Sequence, residues 1–281
     1  MTLTIYLLAG AILLITITLI VVLVYYNTNM SHNNDPVVRR PVGILRIDYE
    51  YPVSPGDVDS SDSYIYPIES YTIKGLTFEK AQAGYWDEEL TSLLNDGLHY
   101  LVNKGVCGIT GDCGFMMYYQ KRIADLSPVP VMMSSLMQLP TILSSIKTEN
   151  KVMILTANDE ALTRVALENM LVDNSIYSED SIEAVMSRIV IIGCQNVIGF
   201  EAVANGSKVE YDVTVNGIVE LVQTYLEANP DVRAILSECT ELGMFSDDLR
   251  YRLSHPVFDS ITFIDFMWTA SADNPKFGLT F

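Results

Sequence analysis

Residues 103–134 recur 126 positions later as residues 229–260, and this repeat limits what the chain can fold into. Asn103 stands 10 residues before Cys113 and Asn229 stands 10 before Cys239. Pro130 and Pro256 each follow those cysteines by 17 residues. The same offset pairs Val106 with Val232, Ile109 with Ile235, Asp112 with Glu238, Val131 with Val257 and Ser134 with Ser260. Each copy reads as helix, turn, strand, acidic residue, cysteine, helix, proline, strand. Apolar strands match easily by chance, but shared cysteine and proline positions point to duplication.

The rest of the chain supplies matching elements. Apolar runs of strand length fall at residues 42–48, 106–110, 129–133, 151–156, 188–193 and 232–236, with a further short strand at 70–73. Helical periodicity falls at 86–103, 116–126, 159–171 and 215–228, with Asn158 or Asp159 as the cap of the third. Strands alternating with helices predict parallel sheets with crossover helices. The expected fold class is therefore α/β: two pseudo-symmetric Rossmann-like lobes with parallel sheets. Ligands of such sheets bind beyond the carboxyl ends of the strands, where both repeats carry a thiol.

Before this region the chain is different. Residues 5–26 are uncharged and apolar, long enough as a helix to span about 30 Å of bilayer. Tyr6, Tyr25 and Tyr26 suit its interfaces, and Arg39 and Arg40 place the following domain on the cytosolic side. The expected organisation is a transmembrane anchor at 1–26, a polar linker at 27–41 and a catalytic domain at 42–281. The lobes of that domain fall at about 42–149, with return of the C-terminal segment, and at 150–255. The protein is thus expected to be single-pass, membrane-bound and cytosolic in its catalytic part.

Charge excludes one partner class. The formal net charge is −18, and no Asp, Glu, Lys or Arg precedes Asp35. Nucleic-acid binding needs clustered cations, which this surface lacks. The four cysteines form no CxxC, and the three histidines are scattered, so neither a metal site nor a disulfide framework is expected. Cys107 and Cys194 read as small buried core residues.

Five stretches carry a resemblance. Gly43-Ile-Leu-Arg-Ile-Asp48, Pro55-Gly-Asp57, Gly108-Ile-Thr-Gly-Asp-Cys113-Gly-Phe115, Val129-Pro-Val-Met-Met-Ser134-Ser135-Leu136 and Glu238-Cys239-Thr240-Glu241 resemble the aspartate/glutamate racemase superfamily, which works without pyridoxal phosphate. The resemblance implies a cysteine from each lobe flanking the substrate α-carbon, with no cofactor. One thiolate removes the proton and the other thiol returns one from the far side. Cys113 and Cys239 are the expected acid/base pair. Asp48, Gly114, Ser134, Ser135, Thr156, Thr240 and Glu241 are expected to contact substrate, and Glu241 could also orient a thiol.

The implied activity is an isomerase, racemising an amino acid of the aspartate or glutamate type. The alternatives are a related cysteine-dependent decarboxylase or isomerase, or a membrane-tethered binding protein that has lost the chemistry. The expected partners are a small amino or carboxylic acid and the membrane, with a homodimer allowed for. Asp112 and Glu238 beside the thiols oppose thiolate formation and a dicarboxylate substrate, which leaves room for a neutral or less charged one.

Overall fold

A computed structural model describes residues 40–272. Residues 5–26, expected as the membrane anchor, lie outside the described residues. No helix among the described residues is long and apolar enough to cross a membrane. The expectation of a single-pass membrane protein with a cytosolic catalytic part thus finds no support among the described residues.

The first lobe is built on a four-stranded parallel sheet. Its strands are β1 (Val42–Arg46), β2 (Ile68–Thr72), β3 (Ile109–Gly111) and β4 (Val131–Met132), in the order β2-β1-β3-β4. β1 is Val-Gly-Ile-Leu-Arg with its first four residues buried, the continuous apolar run expected of a parallel strand covered on both faces. Helix α1 (Phe78–Gln82) and the longer α2 (Glu88–Asn103) connect β2 to β3. The Asp87 side chain accepts the Leu90 N–H and caps α2, and Gly105 turns the chain out at φ +74°. Helices α3 (Gln120–Leu126) and α4 (Leu139–Ser145) precede and follow β4.

The second lobe repeats the plan. Its strands β5 (Lys151–Thr156), β6 (Ile189–Gly193), β7 (Val232–Ser237) and β8 (Val257–Phe258) lie parallel in the order β6-β5-β7-β8. Its helices are α5 (Arg164–Asp173), α6 (Glu179–Met186), α7 (Tyr211–Ala228), α8 (Ser246–Leu253) and α9 (Ser260–Ser271). The offset of 126 holds in space: β4 matches β8, and the 3-10 turn Gly114–Tyr119 matches the 3-10 turn Thr240–Phe245.

The last helix ties the lobes together. Phe263, Ile264 and Met267 of α9 join Val42, Ile44 and Cys107 in one buried cluster against the first sheet. Gly108 is what lets α9 approach, since a Cβ there would lie 2.3 Å from Met267 Sδ. Around α4, Leu139, Ile142 and Leu143 share a core with Val152 and Ile154 of β5. Each lobe therefore lends the helix after its last strand to the other sheet.

Two local expectations change. α5 begins at Arg164, not Asp159, and Thr163 caps it by accepting the Ala166 N–H. Asp159 is unavailable as a cap because its carboxylate accepts the Gly193 N–H and the Gln195 side chain. α6 has no counterpart in the expected elements.

Candidate active site

The two repeats deliver their thiols in the same way. Cys113 follows β3 in an extended conformation and opens the 3-10 turn that leads into α3. Cys239 follows β7, also extended, and opens the turn that leads into α8. Both are only 8% exposed, and both line a single cavity of about 180 Å³ beyond the carboxyl ends of the strands.

Hydrogen bonds across the lobes set the cavity's shape. Thr240 Oγ1 donates to the Asp112 carbonyl at 2.9 Å, and Ser135 Oγ donates to the Ser237 carbonyl at 2.7 Å. The Tyr49 hydroxyl donates to the Val203 carbonyl at 2.7 Å, tying the chain after β1 to the chain after β6. Each bond joins residues more than 100 positions apart, so the cavity exists only once both lobes have formed.

The acidic residues preceding the thiols turn back onto their own sheets. Asp112 accepts the Ile47 N–H at 3.0 Å, and Glu238 Oε2 accepts the Thr156 hydroxyl at 2.7 Å. Glu238 also lies against Gly114, where a Cβ would sit 1.8 Å from its Oε1, so only glycine fits there. One carboxylate of the second lobe thus packs beside the first lobe's thiol.

Electrostatics favour the protonated form of both thiols. Burial, then Glu238 and Asp112, push the Cys113 thiol well above its ordinary range, and the Phe115 amide offsets part of this. Burial, then Glu241 and Glu238, do the same to Cys239, with the Glu241 amide opposing. Burial raises Glu238 to about 7, and burial with the charge of Asp57 raises Glu241 to about 8. Cys239 Sγ donates to Glu241 Oε2 at 3.4 Å, a thiol with its own proton acceptor. The residue two after Cys113 is Phe115, and the carboxylate beside that thiol, Glu238, is engaged by the Thr156 hydroxyl.

The cavity lining holds Asp112, Glu201, Glu238 and Glu241 but no Lys, Arg or His. Arg46 stands behind it, 2.8 Å from Asp59 and 3.9 Å from Asp112. Among the described residues, no three His, Cys, Asp or Glu side chains stand where they could hold a metal ion.

Of the residues expected at the site, Cys113, Gly114, Cys239, Thr240 and Glu241 line the cavity, and the other four do not. Asp48 binds Lys74 Nζ and the Gly75 N–H, both at 2.9 Å, and closes a turn. Ser134 accepts the Leu136 N–H as a cap, and Ser135 joins the lobes. Thr156 is consumed by Glu238. Strand-end position brought these residues near the site, but their hydroxyls and carboxylate are taken by protein partners.

The aromatic lining was not foreseen. Tyr49, Tyr51, Phe78, Phe115 and Phe200 all face the cavity. The alternation Ile47, Tyr49, Tyr51 is the one local signal, since extended chain puts such residues on one side.

No protein-family model matches the chain. Curated relatives do. Dimethylsulfoniopropionate lyase from Durusdinium sp. clade D is 38% identical, over 87% of this chain and 80% of its own. Dimethylsulfoniopropionate lyase 3 from Emiliania huxleyi is 40% identical, over 85% of this chain. The chain spans 61% of that relative's length and 47% of the length of lyase 5 from the same organism. Among solved structures, arylmalonate decarboxylase superposes with a TM-score of 0.50 at 16% identity, covering 81% of this chain and 91% of its own. Allantoin racemase from Klebsiella pneumoniae superposes with a TM-score of 0.50 at 10% identity, covering 85% and 91%.

These structural likenesses are of fold alone, and they agree with the expected pair of α/β lobes on parallel sheets. The expected activity is corrected. The sequence relatives are named as lyases, which overturns the reading as an amino-acid racemase and isomerase and agrees better with the alternative of a related cysteine-dependent enzyme. Identity of 38% across four-fifths of a curated relative shows that the chain belongs to the dimethylsulfoniopropionate lyase family.

Proposed function

We propose that this chain is a lyase that eliminates a positively charged sulfur group from a β-substituted propanoate, with dimethylsulfoniopropionate, the compound in its relatives' name, as substrate. The observation that carries this reading is the pairing of Cys239 with Glu241 in a cavity that has carboxylates and no cationic side chain. The acidic lining disfavours a dicarboxylate and suits a zwitterion whose far end is positive.

The chemistry needs one base. Glu241 takes the Cys239 proton, and the thiolate removes a proton from the carbon next to the substrate carboxylate. The electron pair of that C–H bond becomes the new C=C bond. The Cβ–S bond breaks, and its pair goes to sulfur, releasing neutral dimethyl sulfide. The other product is the unsaturated carboxylate, and the abstracted proton leaves through Cys239 and Glu241. A good leaving group carries the reaction forward, so no second proton has to be delivered to carbon.

The substrate's charge answers the problem of the raised thiols. A unit positive charge about 5 Å from a thiolate, at an effective dielectric near 20, contributes roughly 3 kcal/mol, or about two pKa units. Burial and the neighbouring carboxylates hold the thiols neutral, and the cation brings Cys239 into range. Cys113 remains a neutral thiol from the other lobe, where with Gly114 and the Phe115 amide it faces the enediolate formed from the carboxylate. Thr240 positions the Cys239 turn through its bond to the first lobe.

The test is headspace measurement of dimethyl sulfide released from dimethylsulfoniopropionate by the full chain. Release that disappears in Cys239→Ser supports the reading. An active-site-intact protein that releases none, while exchanging α-protons of other carboxylates, sinks it.

A further inference from the structure

One wall of the cavity is a row of three rings. Phe78 stacks on Tyr49 at 5.6 Å, and Tyr49 stacks on Tyr51 at 5.8 Å, each pair tilted by 29°. All three line the cavity with Glu241. The Tyr51 hydroxyl is held by Asp57 at 2.9 Å, and the Tyr49 hydroxyl by the Val203 carbonyl at 2.7 Å. With both hydroxyls engaged elsewhere, the rings are fixed. Burial and then Glu241 push the Tyr49 phenol above its ordinary range, and burial, Asp57 and Asp59, with Glu241 behind them, do so for Tyr51.

We propose that Tyr49, Tyr51 and Phe78, backed by Glu241, form a subsite for a fully alkylated onium group, and that this wall sets specificity for a cationic substituent over a neutral one of the same shape. The inference rests on the lyase reading for the substrate's other end and deepens it by assigning the charged end to named residues. A trialkyl sulfonium or quaternary ammonium has no N–H or O–H to donate, so hydrogen-bond acceptors cannot select it. It is recognised by aromatic faces and by negative charge without directional bonds. This wall offers both. A primary ammonium, by contrast, carries three donors that the ring faces leave unsatisfied. The wall lies on the chain segments following β1 and β2, and the helix that carries Phe78 packs against the turn beginning at Gly114, so one small zwitterion meets both.

Calorimetric titration of the full chain with β-(trimethylammonio)propanoate, a poorer leaving group, and with its carbon isostere, in which a quaternary carbon replaces the nitrogen, tests this. The wild type is expected to bind the onium at least about tenfold tighter than the isostere. Tyr49→Leu and Phe78→Leu should each erase most of that preference. Tyr49→Phe, which keeps the ring and loses the bond to Val203, should retain it. Equal binding of the two ligands by the wild type, binding of neither, or full preference in folded Leu variants overturns the subsite. If Tyr49→Leu does not fold, the wild-type ratio and Phe78→Leu still decide. Dimethyl sulfide release is read in parallel. Release without onium preference overturns the subsite alone, and onium preference without release overturns the lyase reading alone.

Discussion

Cys239 Sγ stands 3.4 Å from Glu241 Oε2, whereas the pseudo-symmetric position beside Cys113 holds Phe115. The duplicated halves are thus chemically unequal at the residue two after each thiol. At Cys239 that residue is a carboxylate hydrogen-bonded to the thiol, and at Cys113 it is a ring, with Glu238 nearby but held by Thr156. An inverting enzyme needs an acid and a base of matched ability, while an elimination needs one base.

Glu241→Gln keeps the size of the side chain and removes its ability to accept a proton. The expected result is a fall in kcat/KM for dimethyl sulfide release of about a hundredfold to a thousandfold. Because Glu241 is raised to about 8, wild-type kcat/KM should climb as pH rises through that value. The variant's profile should lose this limb. An unchanged profile in Glu241→Gln would show that the carboxylate is not the acceptor.

Single replacement of the two cysteines should give unequal losses. Cys239→Ser is expected to remove activity by about a thousandfold or more, since a hydroxyl is a far weaker base partner at neutral pH. Cys113→Ser should leave measurable release. Steady-state kinetics on both folded variants checks this, and equal losses would restore a role for the pair acting together.

Gly114→Ala puts a methyl group where Glu238 Oε1 lies, at 1.8 Å. Glu238 is buried and bonded to Thr156, so it yields only by breaking that bond. A destabilisation of about 1–3 kcal/mol, read by denaturant melts, is the expected outcome. Activity should fall further than stability, because the displaced carboxylate sits beside Cys113.

The acidic cluster makes stability depend on pH in an unusual direction. Burial raises Asp57 to about 6, Glu238 to about 7 and Glu241 to about 8, so at intermediate pH the folded chain holds more protons than the unfolded one. Their contribution is complete below the ordinary carboxylate range and is lost as pH rises towards 8. Tm by calorimetry should therefore be lower at pH 9 than at pH 5.5, by on the order of 5–10 °C. Glu238→Gln should flatten the slope, and a Tm that rises over this interval would contradict the buried-acid assignment.

Much of the fold is legible in the sequence because its signals are local. Apolar runs set β1, β5 and β7, and the spacing of Asn, Cys and Pro exposes the repeat that becomes two sheets of the same strand order. Strand-end cysteines are legible too, since a strand of known length fixes where its last residue emerges. Helix starts are less so. Asp159 looks like a cap in sequence, but Gly193 and Gln195, more than 30 residues away, claim its carboxylate.

The sequence by itself determined the duplicated α/β plan, the two thiols at matching turns and the acidic residues before them, because all of these follow from nearest-neighbour pattern. Only the tertiary structure decided which polar groups remain free for chemistry. Thr156, Ser135 and Asp48 are bound by partners that the fold brings from elsewhere, while Glu241 is left beside Cys239. The aromatic wall and the absence of cations from the lining are likewise properties of convergence. The free energy of a buried charge or an unpaired hydroxyl depends on everything packed around it, and that neighbourhood is assembled from residues as far apart in the chain as Ser135 and Ser237.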